Sequence, residues 1–212
     1  VAKTALWIAE SQMFRETEDI IHKEMDFLPL HTNSNIHEGN ALRMDWKEVL
    51  PPSDDVKILG NPPFVGYSLQ SKEQKADMLA TYIDENGKPY KKAGKIDYVS
   101  GWYFKAAEYM NGTNVKTAFV STNSITQGEQ VADIWEPLYH RFGIHIDFAY
   151  RTFRWDSEST NKAHVHVVII GLSACENNGE KYLFTDNISK HVDEINPYLH
   201  AAKTVFIKAR TK

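Results

Sequence analysis

Apolar positions along the chain change their period several times, and each change marks an element. From Ala2 to about Ile20, the residues Ala5, Leu6, Ile8, Ala9, Met13 and Phe14 recur among charged neighbours, the spacing of one face of an amphipathic helix. After Pro29 the short segment Asn35 to Glu38 reads as a strand leading into Gly39-Asn40-Ala41-Leu42. Pro51-Pro52 breaks the chain, and Val56 to Gly60 then reads as a buried strand that ends at Asn61. Ser68 to Gly94 is polar and turns at Asn86-Gly87, so it is expected to be a surface excursion. A helical period returns from Asp97 to Met110 through Tyr98, Val99, Trp102, Tyr103 and Ala106, with Asn111-Gly112 as its C-cap. Ala118 to Ser121 predicts another buried strand, about Gln127 to His140 a helix, and Ile144 to Tyr150 a further strand.

This alternation argues for parallel strands joined by helical crossovers, because a parallel return needs about a dozen connecting residues. The last pair differs. Thr152 to Lys162 is polar and lacks helical spacing, whereas Ala163 to Leu172 is strand-like again. An antiparallel hairpin is the simpler reading. The expected fold class is therefore α/β, a mostly parallel sheet with a terminal antiparallel strand pair.

Composition narrows the picture only a little. A chain of 212 residues, 42% hydrophobic and 25% charged, suits one globular domain that buries about 70% of its unfolded surface. The 24 basic and 28 acidic residues leave a net charge of −4, which excludes the overall basic surface of a self-sufficient nucleic-acid binder. Any such contact is expected to be local or supplied by parts of the protein outside this chain. The single cysteine, Cys175, excludes an internal disulfide framework and a cysteine-rich zinc site and fits a cytoplasmic location. No apolar run approaches the roughly 20 residues that span a bilayer, so no membrane contact is expected. The chain opens inside a helical pattern without an initiator Met, and it is expected to be an internal piece of a longer protein.

The strongest chemical signal is Asn61-Pro62-Pro63-Phe64. Following a strand, it falls at the carboxyl end of an open α/β sheet, where such folds bind ligands. A bare Asn-Pro-Pro is also simply how a strand ends in a turn. The turn nevertheless suits methylation of an exocyclic amine, whose lone pair is delocalised into its ring. If the Asn61 side-chain carbonyl and the Pro62 backbone carbonyl both accept from that amine, the nitrogen is drawn towards tetrahedral geometry. Proline fixes φ and restricts the preceding residue, so the acceptors are preorganised. Phe64 then offers a face to a flipped base.

On these residues the chain resembles the methyltransferase region of MmeI-like type IIG restriction-modification enzymes, within the N6-adenine DNA methyltransferases. The resemblance covers nearly the whole length. It implies an incomplete class I S-adenosylmethionine-dependent methyltransferase (Rossmann-like) fold, in which Asn61, Pro62, Pro63 and Phe64 form the catalytic motif and Phe64 stacks on the extruded adenine. His37-Glu38-Gly39-Asn40-Ala41-Leu42 is similar to the motif whose polar residue approaches the adenine of S-adenosylmethionine, a role that falls to Asn40 beside Ala41 and Leu42. Asp97-Tyr98-Val99 resembles the motif lining the same cofactor pocket. Ala118-Phe119-Val120-Ser121-Thr122-Asn123 resembles the next one, although both stretches also read as plain helix and strand core. Phe153-Arg154-Trp155, before Ala163-His164-Val165-His166-Val167, looks like the motif whose aromatic packs on the flipped base, and either Phe153 or Trp155 fits. Base extrusion costs a few kcal/mol, and aromatic stacking returns about 1–3 kcal/mol.

Other features are less specific. His164 and His166 alternate in a strand without an obvious third ligand, so no metal site is expected. Lys88, Lys91, Lys92, Arg151, Arg154 and Lys162 could meet phosphates, though solvated loop charge is the commoner role. Asn196-Pro197-Tyr198-Leu199 resembles the family's hinge, which implies a partial methyltransferase domain over residues 1–195 and, over 196–212, a hinge towards a target-recognition domain. No Gly-x-Gly follows a strand anywhere in the sequence. The family's donor-binding motif is therefore expected to precede Val1, and binding of S-adenosylmethionine by this chain alone to be weak or absent. Double-stranded DNA is the partner implied for the full-length protein, and self-association is expected from uncovered apolar sheet. The rival readings are an N-methyltransferase acting on a protein glutamine or another nucleobase, and a noncatalytic nucleic-acid-binding domain of the same fold.

Overall fold

The computed structural model describes residues 2–22, 36–155, 165–174, 179–186 and 188–207. It divides into two units, residues 1–40 and residues 41–212. In the first, helix α1 (Ala2–Ile21) forms where the apolar period places it. The Ser11 and Thr17 hydroxyls donate to the Trp7 and Met13 carbonyls four residues back, so neither polar side chain disturbs the helix. The strand expected from Asn35 to Glu38 is not borne out. Asn35 lies outside the described residues, and residues 36–38 belong to no strand. Ile36 is the single apolar side chain there, which leaves little to bury against a neighbour.

The second unit is built on a six-stranded sheet in the order β1-β2-β4-β3-β5-β6. Its strands are β1 (Lys57–Gly60), β2 (Lys116–Thr122), β3 (His145–Trp155), β4 (Val165–Ser173), β5 (Lys181–Thr185) and β6 (Ile188–Val192). β1 is parallel to β2 and β5 to β3, β4 is antiparallel to both β2 and β3, and β6 is antiparallel to β5. The strands β1, β2, β3 and β5 thus run one way and β4 and β6 the other. The β3–β4 pair is antiparallel as expected, but it is not terminal, because β4 inserts between β2 and β3 and the β5–β6 hairpin extends the sheet. The common direction has a functional consequence: the carboxyl ends of β1, β2, β3 and β5 share one edge.

The two faces of the sheet are unequal. On β2, Thr117, Phe119 and Ser121 are buried while Ala118 and Val120 between them are only half-buried. The buried set faces α4 (Ser100–Met110) and α5 (Gln130–Phe142). The Tyr103 ring meets Phe119 at 5.2 Å and Trp135 at 5.4 Å, both edge-on, an arrangement aromatic quadrupoles favour. Its hydroxyl lies 2.7 Å from Ser121 Oγ. Tyr82 packs its ring 4.3 Å from Phe104 and donates its hydroxyl to the Ile134 carbonyl. Helix α5 closes on Gly143, whose φ of 61° lets its N–H reach back to the Leu138 and Tyr139 carbonyls, a left-handed cap that a glycine adopts without cost.

The opposite face carries the in-register row Leu59, Ala118, Gly171, Phe148 and Tyr182. The Phe148 ring lies across Gly171, where an added Cβ would collide with the ring carbons. Leu59 is 77% exposed. The expectation that Val56 to Gly60 forms a buried strand therefore needs correction: β1 is an edge strand whose residues alternate between exposed and half-buried. Apolar letters predict the strand, but its burial depends on neighbours on both sides, and among the described residues β1 pairs with β2 alone.

The polar stretch from Ser68 to Gly94 is also more than an excursion. It contains α3 (Lys72–Thr81), opened by a capping box in which Ser71 and Gln74 satisfy each other's backbone N–H groups. Within α3 only Asp77 and Met78 are buried. The Asp77 carboxylate takes the Arg43 guanidinium at 2.6 Å and the Tyr98 hydroxyl at 3.0 Å. A short helix, α2 (Trp46–Val49), is capped by the Asp45 side chain, and its Trp46 indole donates to the Ala41 carbonyl. No helix among the described residues is long and apolar enough to cross a membrane.

Candidate active site

β1 reaches the shared carboxyl edge at Gly60, where the Phe119 ring stands 3.1 Å from the position a Cβ would take. Glycine lets the strand end hard against its neighbour. The next four residues alternate: Asn61 and Pro63 are exposed, Pro62 is buried and Phe64 is half-buried. The turn is thus anchored by Pro62 and presents the Asn61 side chain outward at the edge.

Beyond the turn, the chain is sewn down. The Tyr98 N–H donates to the Val65 carbonyl at 2.9 Å, the Tyr67 N–H to Asp97 Oδ1 at 3.0 Å, and the Gln70 side-chain amide to the Ile96 carbonyl at 2.8 Å. Asp97 is 6% exposed. Its Oδ2 accepts from Ser124 Oγ at 2.5 Å and from Gln130 Nε2 at 3.1 Å, while Gln130 Oε1 accepts from the Asp97 N–H. Ser124 belongs to the 3-10 turn Asn123–Thr126 after β2, and Gln130 opens α5. One carboxylate therefore gathers three elements.

The other residues singled out from the sequence fall in several places. Asn40 belongs to the first unit and Ala41 and Leu42 to the second. Leu42 is buried and packs where a Gly101 Cβ would otherwise sit, 3.0 Å away. Tyr98 is buried, bonded to Asp77 and edge-on to Trp102 at 5.1 Å, so Asp97 and Tyr98 lie behind the turn. Thr122 is in register with Val167, and Val167 with Phe153. Phe153 thus stands on the same edge two strand spacings, ~10 Å, from Thr122. Phe153 is half-buried, and the Trp155 backbone pairs with Val165.

Among the basic residues, Lys92 pairs with Asp133 at 2.9 Å and Arg151 donates to the Leu199 carbonyl at 2.8 Å, whereas Lys88, Lys91 and Arg154 are exposed. Lys162, Ala163 and His164 lie outside the described residues. His166 is exposed on β4, and among the described residues no group of three His, Cys, Asp or Glu side chains could hold a metal ion. Asn196 accepts the Tyr198 and His200 N–H groups on its side chain, in a turn whose flanking Ile195 and Leu199 are buried. A concavity of about 500 Å³ lies between Tyr90 and α5 and one of about 380 Å³ beside Trp46 and Tyr109. Neither is lined by the Asn61–Phe64 turn. Ser124, Gln130 and the Tyr67 N–H have no local sign in the sequence that would single them out: their partner is 27, 33 and 30 residues away.

The Asn-Pro-Pro-Phe turn stands at the carboxyl edge of an α/β sheet, and comparison with known proteins gives the class as a DNA-methyltransferase domain. Residues 1–185 match the family model of the MmeI DNA-methyltransferase domain, and the chain belongs to that family. DNA methyltransferase A of Bacillus subtilis (strain 168) is 45% identical over 216 residues, covering 100% of this chain and 24% of that protein. The type IIL restriction-modification enzyme MmeI, solved in complex with DNA, aligns with a TM-score of 0.83 at 40% identity, covering 98% of this chain and 28% of that one. The chain spans about a quarter of the length of these relatives.

Proposed function

We propose that this chain carries the amine-gripping half of a site-specific adenine-N6 DNA methyltransferase of a restriction-modification system, on an incomplete class I Rossmann-like fold. The observation that carries the reading is the Asn61-Pro62-Pro63-Phe64 turn, with Pro62 buried and Asn61 outward, at the edge where β1, β2 and β3 all end. The Asn61 side-chain carbonyl and the Pro62 backbone carbonyl accept the two N–H groups of the target amine, leaving its lone pair free to attack. Phe64 supplies one face for the extruded base, and Phe153 or Trp155, at the end of β3, the other.

S-adenosylmethionine, when bound, supplies the electrophilic methyl group. The fit is better on the acceptor side than on the donor side. Exposed Asn61 suits the amine, whereas no Gly-x-Gly turn for the donor's methionine portion occurs in the sequence. Double-stranded DNA is the substrate proposed for the full-length protein, in keeping with the DNA-bound MmeI structure.

The test is methyl transfer by the full-length gene product to duplex DNA, with the modified nucleoside identified by mass spectrometry. N6-methyl-2′-deoxyadenosine is expected. Loss of a positioned transition-state contact costs roughly a hundredfold or more in rate, so Asn61→Ala should lose at least that while keeping its melting temperature, since Asn61 is exposed. Methylated cytosine or protein instead of adenine, or full activity in Asn61→Ala, would sink the reading.

A further inference from the structure

We propose that Asp97 is a positioning residue that holds the Asn61–Phe64 turn in register with the end of β2. The inference rests on the adenine-N6 reading of that turn, and it gives Asp97 a different task from the cofactor contact that the motif resemblance implies.

The argument is one of occupancy. An ionised carboxylate has about four acceptor positions, and three at Asp97 are taken by donors of the protein: the Tyr67 N–H, Ser124 Oγ and Gln130 Nε2. With 6% exposure, the side chain presents little surface to a donor molecule. No cation pairs with it among these contacts, so its charge is met by three neutral, directed hydrogen bonds, each strengthened by that charge.

The donors are distributed in a way that fixes the turn. The Tyr67 N–H comes from the stretch just beyond Phe64, and the Tyr98 N–H fixes Val65 two residues earlier. Ser124 lies just past β2, and its hydroxyl also reaches Thr122 Oγ1 at 2.9 Å, the residue that ends β2. Gln130 opens α5 and grips both Asp97 Oδ2 and the Ser124 carbonyl. Upstream, the β1–β2 ladder fixes Gly60 opposite Phe119, and two prolines stiffen what lies between. Asp97 closes the second end of a short span whose first end is already tied, so the two amine-accepting carbonyls have little freedom left. The bound orientation of reacting groups is worth several orders of magnitude in rate.

The variant Asp97→Asn keeps the volume but turns one acceptor into an NH2 donor, which must face either the Tyr67 N–H or the Ser124 and Gln130 donors. Three measurements on the full-length gene product test the role, with Tyr82→Phe as a control that loses a buried hydrogen bond in which none of the Asp97 contacts takes part. In Asp97→Asn, kcat for adenine methylation should fall roughly tenfold to a hundredfold, while KM for S-adenosylmethionine and for the duplex stays within about threefold. Asp97→Asn combined with Ser124→Ala should lose little more than Asp97→Asn alone, because both act through one cluster. Hydrogen exchange across residues 64–70 should rise in Asp97→Asn and not in Tyr82→Phe. A raised KM for S-adenosylmethionine with kcat intact would return Asp97 to the donor pocket, and a kcat loss that merely tracks the melting temperature, as in Tyr82→Phe, would make it an ordinary core residue. Unchanged exchange at 64–70 overturns the clamp whatever the activity, whereas a wild-type protein that methylates no adenine, with exchange behaving as expected, overturns the functional reading and leaves the clamp standing.

Discussion

The stretch from Asn61 to Gln70 and the helical wall of α4 and α5 sit side by side, yet they are secured by different forces. The stretch is tied by directed hydrogen bonds to residues 96–98 while leaving Tyr67 and Leu69 exposed at 50% and 80%. The wall is secured by fully buried aromatic side chains, Tyr103, Phe104 and Trp135. Hydrogen bonds have direction and set positions to a few tenths of an ångström, whereas apolar burial supplies free energy with little preference for orientation. The stretch that follows the proposed amine-gripping turn is thus placed by polar atoms, and the energy that keeps it folded comes from elsewhere.

That contrast can be broken most forcefully at Trp135. Its ring is fully buried and its indole donates to the Ile125 carbonyl at 2.8 Å, so Trp135→Ala should cost about 3–5 kcal/mol, measured by denaturant unfolding. If activity per folded molecule fell as far as in Asn61→Ala, the division of labour would be wrong. A smaller effect is expected at Ser71, where the capping box opens α3: Ser71→Ala should lower stability by about 1 kcal/mol, seen as a shifted unfolding midpoint with methylation kinetics unchanged. The smallest concerns Asp84. The Lys88 N–H, followed by that of Asn86, holds its carboxyl below the usual range. A depressed carboxyl contributes order that is present above the unfolded pKa and is lost as pH falls through the folded one. The Asn86 and Lys88 amide resonances should therefore shift together in acid, below the ordinary titration of a free aspartate.

The same division decides how much of the molecule is legible in its sequence. Helix α1 shows the helical period although none of its described side chains is buried, whereas helices α4 and α5 and the strands β2, β3 and β4 show themselves by periodicity because each buries a defined stripe or face. Helix α3 does not, since Asp77 and Met78 alone among its ten residues are buried, although Ser71 and Gln74 stand at capping-box spacing. The β5–β6 hairpin escapes for a related reason: with Val192 the only buried residue of β6, no alternation marks it. Of the site, Asn61 to Phe64 is plain because the four residues are contiguous. Asp97 stands out through a motif, but its partners are brought to it by the fold, and nothing near them in the chain foretells the meeting.

Gly171 and Phe148 carry a last consequence. Because the ring occupies the space any side chain at 171 would need, the two positions amount to one choice. A lineage or a mutagenesis library can vary either freely only by altering both in step, so their histories should be joined where those of their neighbours on β3 and β4 are independent.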